Sequence, residues 1–176
     1  MEDSKINYKP INKLQILIGL ISLLIGTLVY FVSRAPEGVY FVHRFGFILR
    51  LHNIIYGVAP DFFGSLGPWL PEFIHVFSFI LLTAGIVACE KRGYVIICIG
   101  WFTIDALFEL GQKYSSQVIK IIPSWFSKIP ILESTEGFFR KGTFDTKDMI
   151  AIILGTIAAY FVLLITMGRN RSARTE

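Results

Sequence analysis

Residues 14–32 read LQILIGLISLLIGTLVYFV, nineteen positions without a charge. At about 1.5 Å of rise per helical residue, such a run crosses a hydrocarbon core of about 30 Å. Lys5, Lys9 and Lys13 stand before it. The apolar stretch is too long for a cleaved signal, and only a weak SRA follows, so it predicts an anchor helix that stays. The rest of the chain fits that reading. Its 176 residues are 53% apolar and 17% charged, whereas soluble domains are about one quarter charged. The apolar residues come in blocks rather than at a strand or surface-helix period, and no Ser/Gly/Pro-rich linker divides them.

Three further blocks follow. EFIHVFSFILLTAGIVAC (residues 72–89) begins after Pro68 and Pro71, which suit a first helical turn. EKRG turns directly into a third block, residues 94–112. The fourth is TKDMIAIILGTIAAYFVLLITM, residues 146–167, in which Gly155 and Ala159 form a small-xxx-small pair that lets a neighbouring helix come close. The expected fold is all-α: one integral membrane bundle of four transmembrane helices. A cytoplasmic tail is expected over 1–13, the first anchor over 14–32, a connection over 33–71, a three-helix core over 72–167 and a basic tail over 168–176.

The two long connections are unusual. VYFVHRFGFILRLHNIIYGV (39–58) is apolar but interrupted by Arg44, Gly46 and Arg50, and SQVIKIIPSWFSKIPIL (116–132) mixes Ile and Trp with Lys120 and Lys128. Both predict interfacial or re-entrant pieces; a fifth span in the first is disfavoured by its arginines. His43 and His52 are expected to be solvated or at the membrane surface.

Four spans put both termini on one side. Cations are dense in the tails and the EKRG turn (Lys5, Lys9, Lys13, Lys91, Arg92, Arg169, Arg171, Arg174), which predicts cytoplasmic termini in a multi-pass cell-membrane protein. The net charge of +4 is too small, and too confined to segment ends, to suggest nucleic-acid binding. Cys89 and Cys98 define neither a disulfide framework nor a metal knuckle.

The third block carries two acids, Asp105 and Glu109, with Gln112 on the same helix face. Its nine Val, Ile, Leu or Phe residues between Val95 and Leu110 supply roughly −3 to −5 kcal/mol for insertion, while two central acids cost about +5 to +7. The acids must therefore face protein or water. Topology brings the end of this span to the same level as Glu72 and His75, at the start of the second span, and Asp145 and Asp148, at the start of the fourth. Asp145 suits an N-cap, Asp148 an N3 acid and Glu72 a first-turn acid. Glu109 has no such explanation, because a carboxylate in a last turn faces the negative end of the helix dipole. An imidazolium at position 75 would be equally misplaced at a helix N-terminus. Both point to function.

LPEFIHVFSFILLT, FELGQ and GTFDTKDMIAIILGTIAAY, in that order, resemble the VanZ-like membrane proteins over residues 68–165. That family's pattern is a His early in one span, an E-x-x-Q at the end of the next and an acidic F-D-x-x-D entry to the last. It falls here on His75, Glu109, Gln112, Asp145 and Asp148. Pro71 and Glu72 stand where many members have an Asp-Lys pair, the basic residue before F-D is shifted to Arg140 or Lys141, and Ala151 replaces an Asn. The family takes its name from a protein associated with resistance to teicoplanin-type glycopeptides.

The resemblance implies membrane lipids, a lipid-linked wall precursor or an amphiphilic antibiotic as partners. One expectation is an enzyme acting on phosphate esters of lipid headgroups or lipid-linked precursors at the outer leaflet. His75 would be its base or nucleophile, and Glu109 would orient it or shuttle a proton. Asp145 and Asp148 would position water or a hard divalent ion such as Mg²⁺. Arg140 or Lys141 would neutralise phosphate, with Asp105 and Gln112 lining the site. The alternative is a non-catalytic protein that binds a lipid or a glycopeptide antibiotic. A proton-coupled transporter is disfavoured by the lack of inverted repeats.

Overall fold

A computed structural model describes residues 11–34, 46–58, 63–130 and 132–172. The fold is all-α, with seven α-helices and no strand among the described residues. Four of them are long and apolar enough to cross a membrane: α1 (Lys13–Ser33), α3 (Leu70–Val87), α4 (Lys91–Lys113) and the apolar part of α7 (Thr146–Ser172). Three shorter ones lie in the connections: α2 (Gly46–Val58), α5 (Ser115–Ile121) and α6 (Thr135–Lys141).

The centre of the bundle is α3, which packs against α1, α4 and α7. Val76, Ile80, Leu81 and Ala84 on α3 are completely buried, and Ile152, Ala159 and Leu163 of α7 meet them. Lipid tails are as apolar as these side chains, so close packing rather than water exclusion must hold such helices together. Gly26 of α1 shows how close: a Cβ there would stand 2.7 Å from the Ile74 Cγ2 on α3. Gly155 lets α7 approach likewise, since its Cβ would fall 2.6 Å from the Phe73 carbonyl oxygen. The small pair expected in the fourth span thus sits at a helix contact.

At the end of the bundle where α1 begins and α7 leaves the core, polar groups are tied together inside. Asn12 caps α1, its side chain accepting from the Gln15 backbone N–H, and the Asn12 N–H donates to the Gly85 carbonyl at 2.8 Å. Gln15 is fully buried and its amide donates to the Tyr94 hydroxyl (3.0 Å) and to the Thr166 Oγ1 (2.9 Å). One side chain therefore joins α1, α4 and α7. The first span is an integrated member of the bundle, not a detached anchor.

At 13 residues, α2 is about 20 Å long and too short to span; residues 39–45 and His43 lie outside the described residues. The expectation for His52 is corrected. It is fully buried, stacked on Phe31 at 4.8 Å, with Nε2 2.8 Å from the Arg34 carbonyl. A carbonyl only accepts, so Nε2 carries the proton. His52 docks α2 onto the end of α1 instead of meeting solvent.

Candidate functional site

The opposite end of the bundle collects the charged residues. There α1 ends, α3 begins, α4 ends and α7 begins, so four elements each deliver polar side chains to one level. Asp105 and Glu109 lie one turn apart on α4 and are 8% and 5% exposed, whereas Ile104, Leu107 and Phe108 of the same turns point outward. The acids face protein, as the insertion energetics demand.

His75 leaves the second turn of α3. Its Nδ1 stands 3.4 Å from Asp105 Oδ2. Its ring rests on Phe79 (4.5 Å between centroids), which rests in turn on Trp101 (4.8 Å). Trp101 is fixed by donating to the Thr83 hydroxyl at 2.9 Å. The aromatic stack sets the imidazole plane, and a proton on Nδ1, the nitrogen nearest the carboxylate, would leave the Nε2 lone pair available. The His75 side chain is 44% exposed and Asp105 only 9%, so the outer nitrogen is approachable and the orienting acid is not.

The expected partnership of His75 with Glu109 is therefore corrected. The carboxyl that touches the imidazole is that of Asp105. Glu109 instead accepts from the Gln112 amide at 3.0 Å through one oxygen, and the Asp145 backbone N–H is also directed at its carboxylate. Glu72 pairs with Arg34 at 3.7 Å. Its charge is within electrostatic reach of His75, Asp105, Glu109 and Asp148, and Arg34 is within reach of Glu109 and Asp148 as well. Contacts thus join His75 to Asp105, Gln112 to Glu109 and Arg34 to Glu72, with Asp148 in the first turn of α7 at the same end of the bundle.

The remaining candidates do something else. Asp145 is the N-cap of α7, its Oδ1 accepting from the Lys147 N–H at 2.9 Å. Arg140 pairs with Glu136 on the exposed side of α6, and Lys141 is exposed there too. The ammonium of Lys113 lies over the Phe144 ring at 5.1 Å. No group of three or more His, Cys, Asp or Glu side chains is arranged to hold a metal ion among the described residues. One oxygen of Asp145 is spent on the cap, and Asp145 and Asp148 belong to no such group.

A lid of short helix covers the end of α4. Phe139 of α6 is buried and stacks on Phe108 at 6.0 Å; a Cβ on Gly111 would meet its ring at 2.5 Å. Gly142 lies as close to the Gln112 amide, where a Cβ would stand 2.7 Å from Oε1. Gly142 thus brings the end of α6 against the Gln112 side chain that donates to Glu109. Arg34 was missed because SRA after the first span reads as a weak cleavage site; a lone cation at the non-terminal end of a span was the available signal.

No family model, curated protein or solved structure matches the chain.

Proposed function

We propose that the chain is a VanZ-like membrane protein whose His75–Asp105 pair acts as a general base on the phosphate ester of a lipid headgroup or lipid-linked wall precursor. The observation that carries this reading is the 3.4 Å approach of a half-exposed imidazole to a buried carboxylate, at the end of a membrane bundle where headgroups lie. His75 Nε2 would take a proton from water, whose oxygen forms a bond to phosphorus. The phosphorus–oxygen ester bond then breaks, and the leaving oxygen takes the proton back from the imidazolium. Arg34 is the cation within the cluster for the phosphate. The density of cations near the terminal end of the bundle supports termini in the cytoplasm and the site at the outer leaflet.

The test is direct. Purified protein in lipid nanodiscs is offered radiolabelled phospholipids and lipid-linked precursors, and released headgroup is counted. Release by the native chain and its loss in His75→Gln is the expected result. A well-folded native chain that releases nothing overturns the reading.

One observation favours a second reading, non-catalytic binding of a lipid or glycopeptide antibiotic. Glu109 is 5% exposed and held by the Gln112 amide, a placed carboxylate that suits a ligand's donor and serves no step of hydrolysis. Ligand retention by His75→Gln, with no turnover by either protein, would decide for it.

A further inference from the structure

Between Lys113, where α4 ends, and Thr146, where α7 begins, the chain is tethered at both ends to helices long and apolar enough to span. It therefore runs close to the membrane boundary. Residues 114–132 of this connection contain two cations, Lys120 and Lys128, and no acid. They form α5 and, after Pro123, a 3₁₀ turn at Ser124–Lys128. At seven residues, α5 is about 10 Å long and cannot itself cross. It packs on α6, and α6 packs on the end of α4, so this stretch is braced against the bundle.

Its outer surface is apolar with unpaired cations. Ile121 is 77% exposed and Trp125 51%, and Ile129 is exposed as well. The serines are spent locally: Ser127 Oγ donates to the Ser124 carbonyl at 2.8 Å, and Ser116 Oγ to Gln117 Oε1 at 2.7 Å. Trp69 and Trp101 donate to Ser65 and Thr83, whereas the Trp125 N–H has no acceptor among the described residues. Lys120 and Lys128 are exposed, and neither pairs with an acid among the described residues, while Arg140 takes Glu136. An indole beside free ammonium groups suits the headgroup layer, where the ring lies at the interface and the ammonium reaches phosphate.

We propose that residues 114–129 form a docking surface for anionic phospholipids of the leaflet at this end of the bundle. Ile121, Trp125 and Ile129 enter among the acyl carbons next to the glycerol, and Lys120 and Lys128 meet the phosphates. A zwitterionic leaflet would accept the apolar residues equally well, but it carries its own ammonium groups beside the two lysines. Anionic heads supply the counter-charge that the chain withholds. The surface is separate from the His75–Asp105 pair and does not depend on hydrolysis there.

The experiment uses the full chain in phosphatidylcholine nanodiscs, with and without phosphatidylglycerol, the acyl chains brominated next to the glycerol. Trp125 emission is the difference between the native chain and Trp125→Phe. Bromine should quench it in both discs, and more strongly with phosphatidylglycerol. Lipids that survive stripping, identified by mass spectrometry, should be enriched in phosphatidylglycerol. Lys120→Gln and Lys128→Gln should each lower that enrichment by about fivefold, the equivalent of about 1 kcal/mol, and added salt should lower it too. Lys91→Gln, at the other end of α4, should leave Trp125 quenching and its dependence on phosphatidylglycerol unchanged. An unquenched Trp125 in both discs overturns the proposal and gives this surface to water or a protein. Quenching that ignores phosphatidylglycerol, or that is unaltered when both lysines are replaced, overturns it as well. So does displacement of the retained lipid by free glycerol phosphate, which would assign the lysines to a soluble ion.

Discussion

Nδ1 of His75 and Oδ2 of Asp105 lie 3.4 Å apart across the α3–α4 contact. This is longer than an ordinary hydrogen bond, within the range that catalytic pairs show before substrate tightens them. In Asp105→Asn the side-chain amide can offer an N–H to the ring and invert its tautomer. Headgroup release should fall by about 10²-fold or more with little change in KM. Single-turnover kinetics on the variant checks this, and an unaltered rate would show that the carboxylate does not orient the base.

Gln15 should matter for stability rather than for chemistry. Its amide is the shared donor to Tyr94 and Thr166, at the end of the bundle away from His75. Buried polar contacts between membrane helices contribute about 0.6 kcal/mol each, at most about 1.7. Gln15→Leu should therefore cost on the order of 1–2 kcal/mol by unfolding titration in detergent, with turnover per folded molecule unchanged.

Gly26→Leu should cost more. The new Cβ alone would stand 2.7 Å from Ile74, and the rest of the side chain would force α1 off α3. Overpacking of this kind costs about 1–3 kcal/mol, readable as a lowered unfolding temperature. Gly46→Ala, where a Cβ would meet nothing within 4 Å, is the matched control and should leave that temperature in place.

His52→Leu removes the donor to the Arg34 carbonyl, a buried contact of 2.8 Å. The orphaned carbonyl should cost about 1–3 kcal/mol. Because Arg34 pairs with Glu72, the same variant should raise KM for the headgroup more than it lowers kcat. A change in kcat alone would place the effect outside Arg34.

The four spans were legible because the bilayer imposes its own length on the sequence, and no competing interaction can shorten a membrane crossing. Convergence of Glu72, His75, Glu109 and Asp148 was legible too, since alternating direction brings span ends to common levels. Pairing within the cluster was not. Asp105 and Glu109 share one face of α4, and which of them meets His75 depends on the rotation and tilt of α3 against α4, which hydropathy does not encode. His52 escaped for a related reason: its burial comes from α2 folding back on Phe31, a contact between segments that sequence spacing does not connect. Gln15 sat unnoticed in a run read for its lack of charge, although an uncharged amide inside hydrocarbon also demands partners.

The core between the two polar ends is built from Val76, Ile80, Leu81, Ile152 and Leu163, all buried to within 1%. No Asp, Glu, His, Lys or Arg occurs on α1, α3, α4 or α7 between the Gln15 contacts and the His75 cluster. An ion entering there would have to shed its hydration among branched aliphatic chains, which makes this stretch an insulating plug. In the proposed hydrolysis, the proton that His75 takes and returns would exchange with one aqueous compartment only. That reaction would thereby be uncoupled from the transmembrane potential.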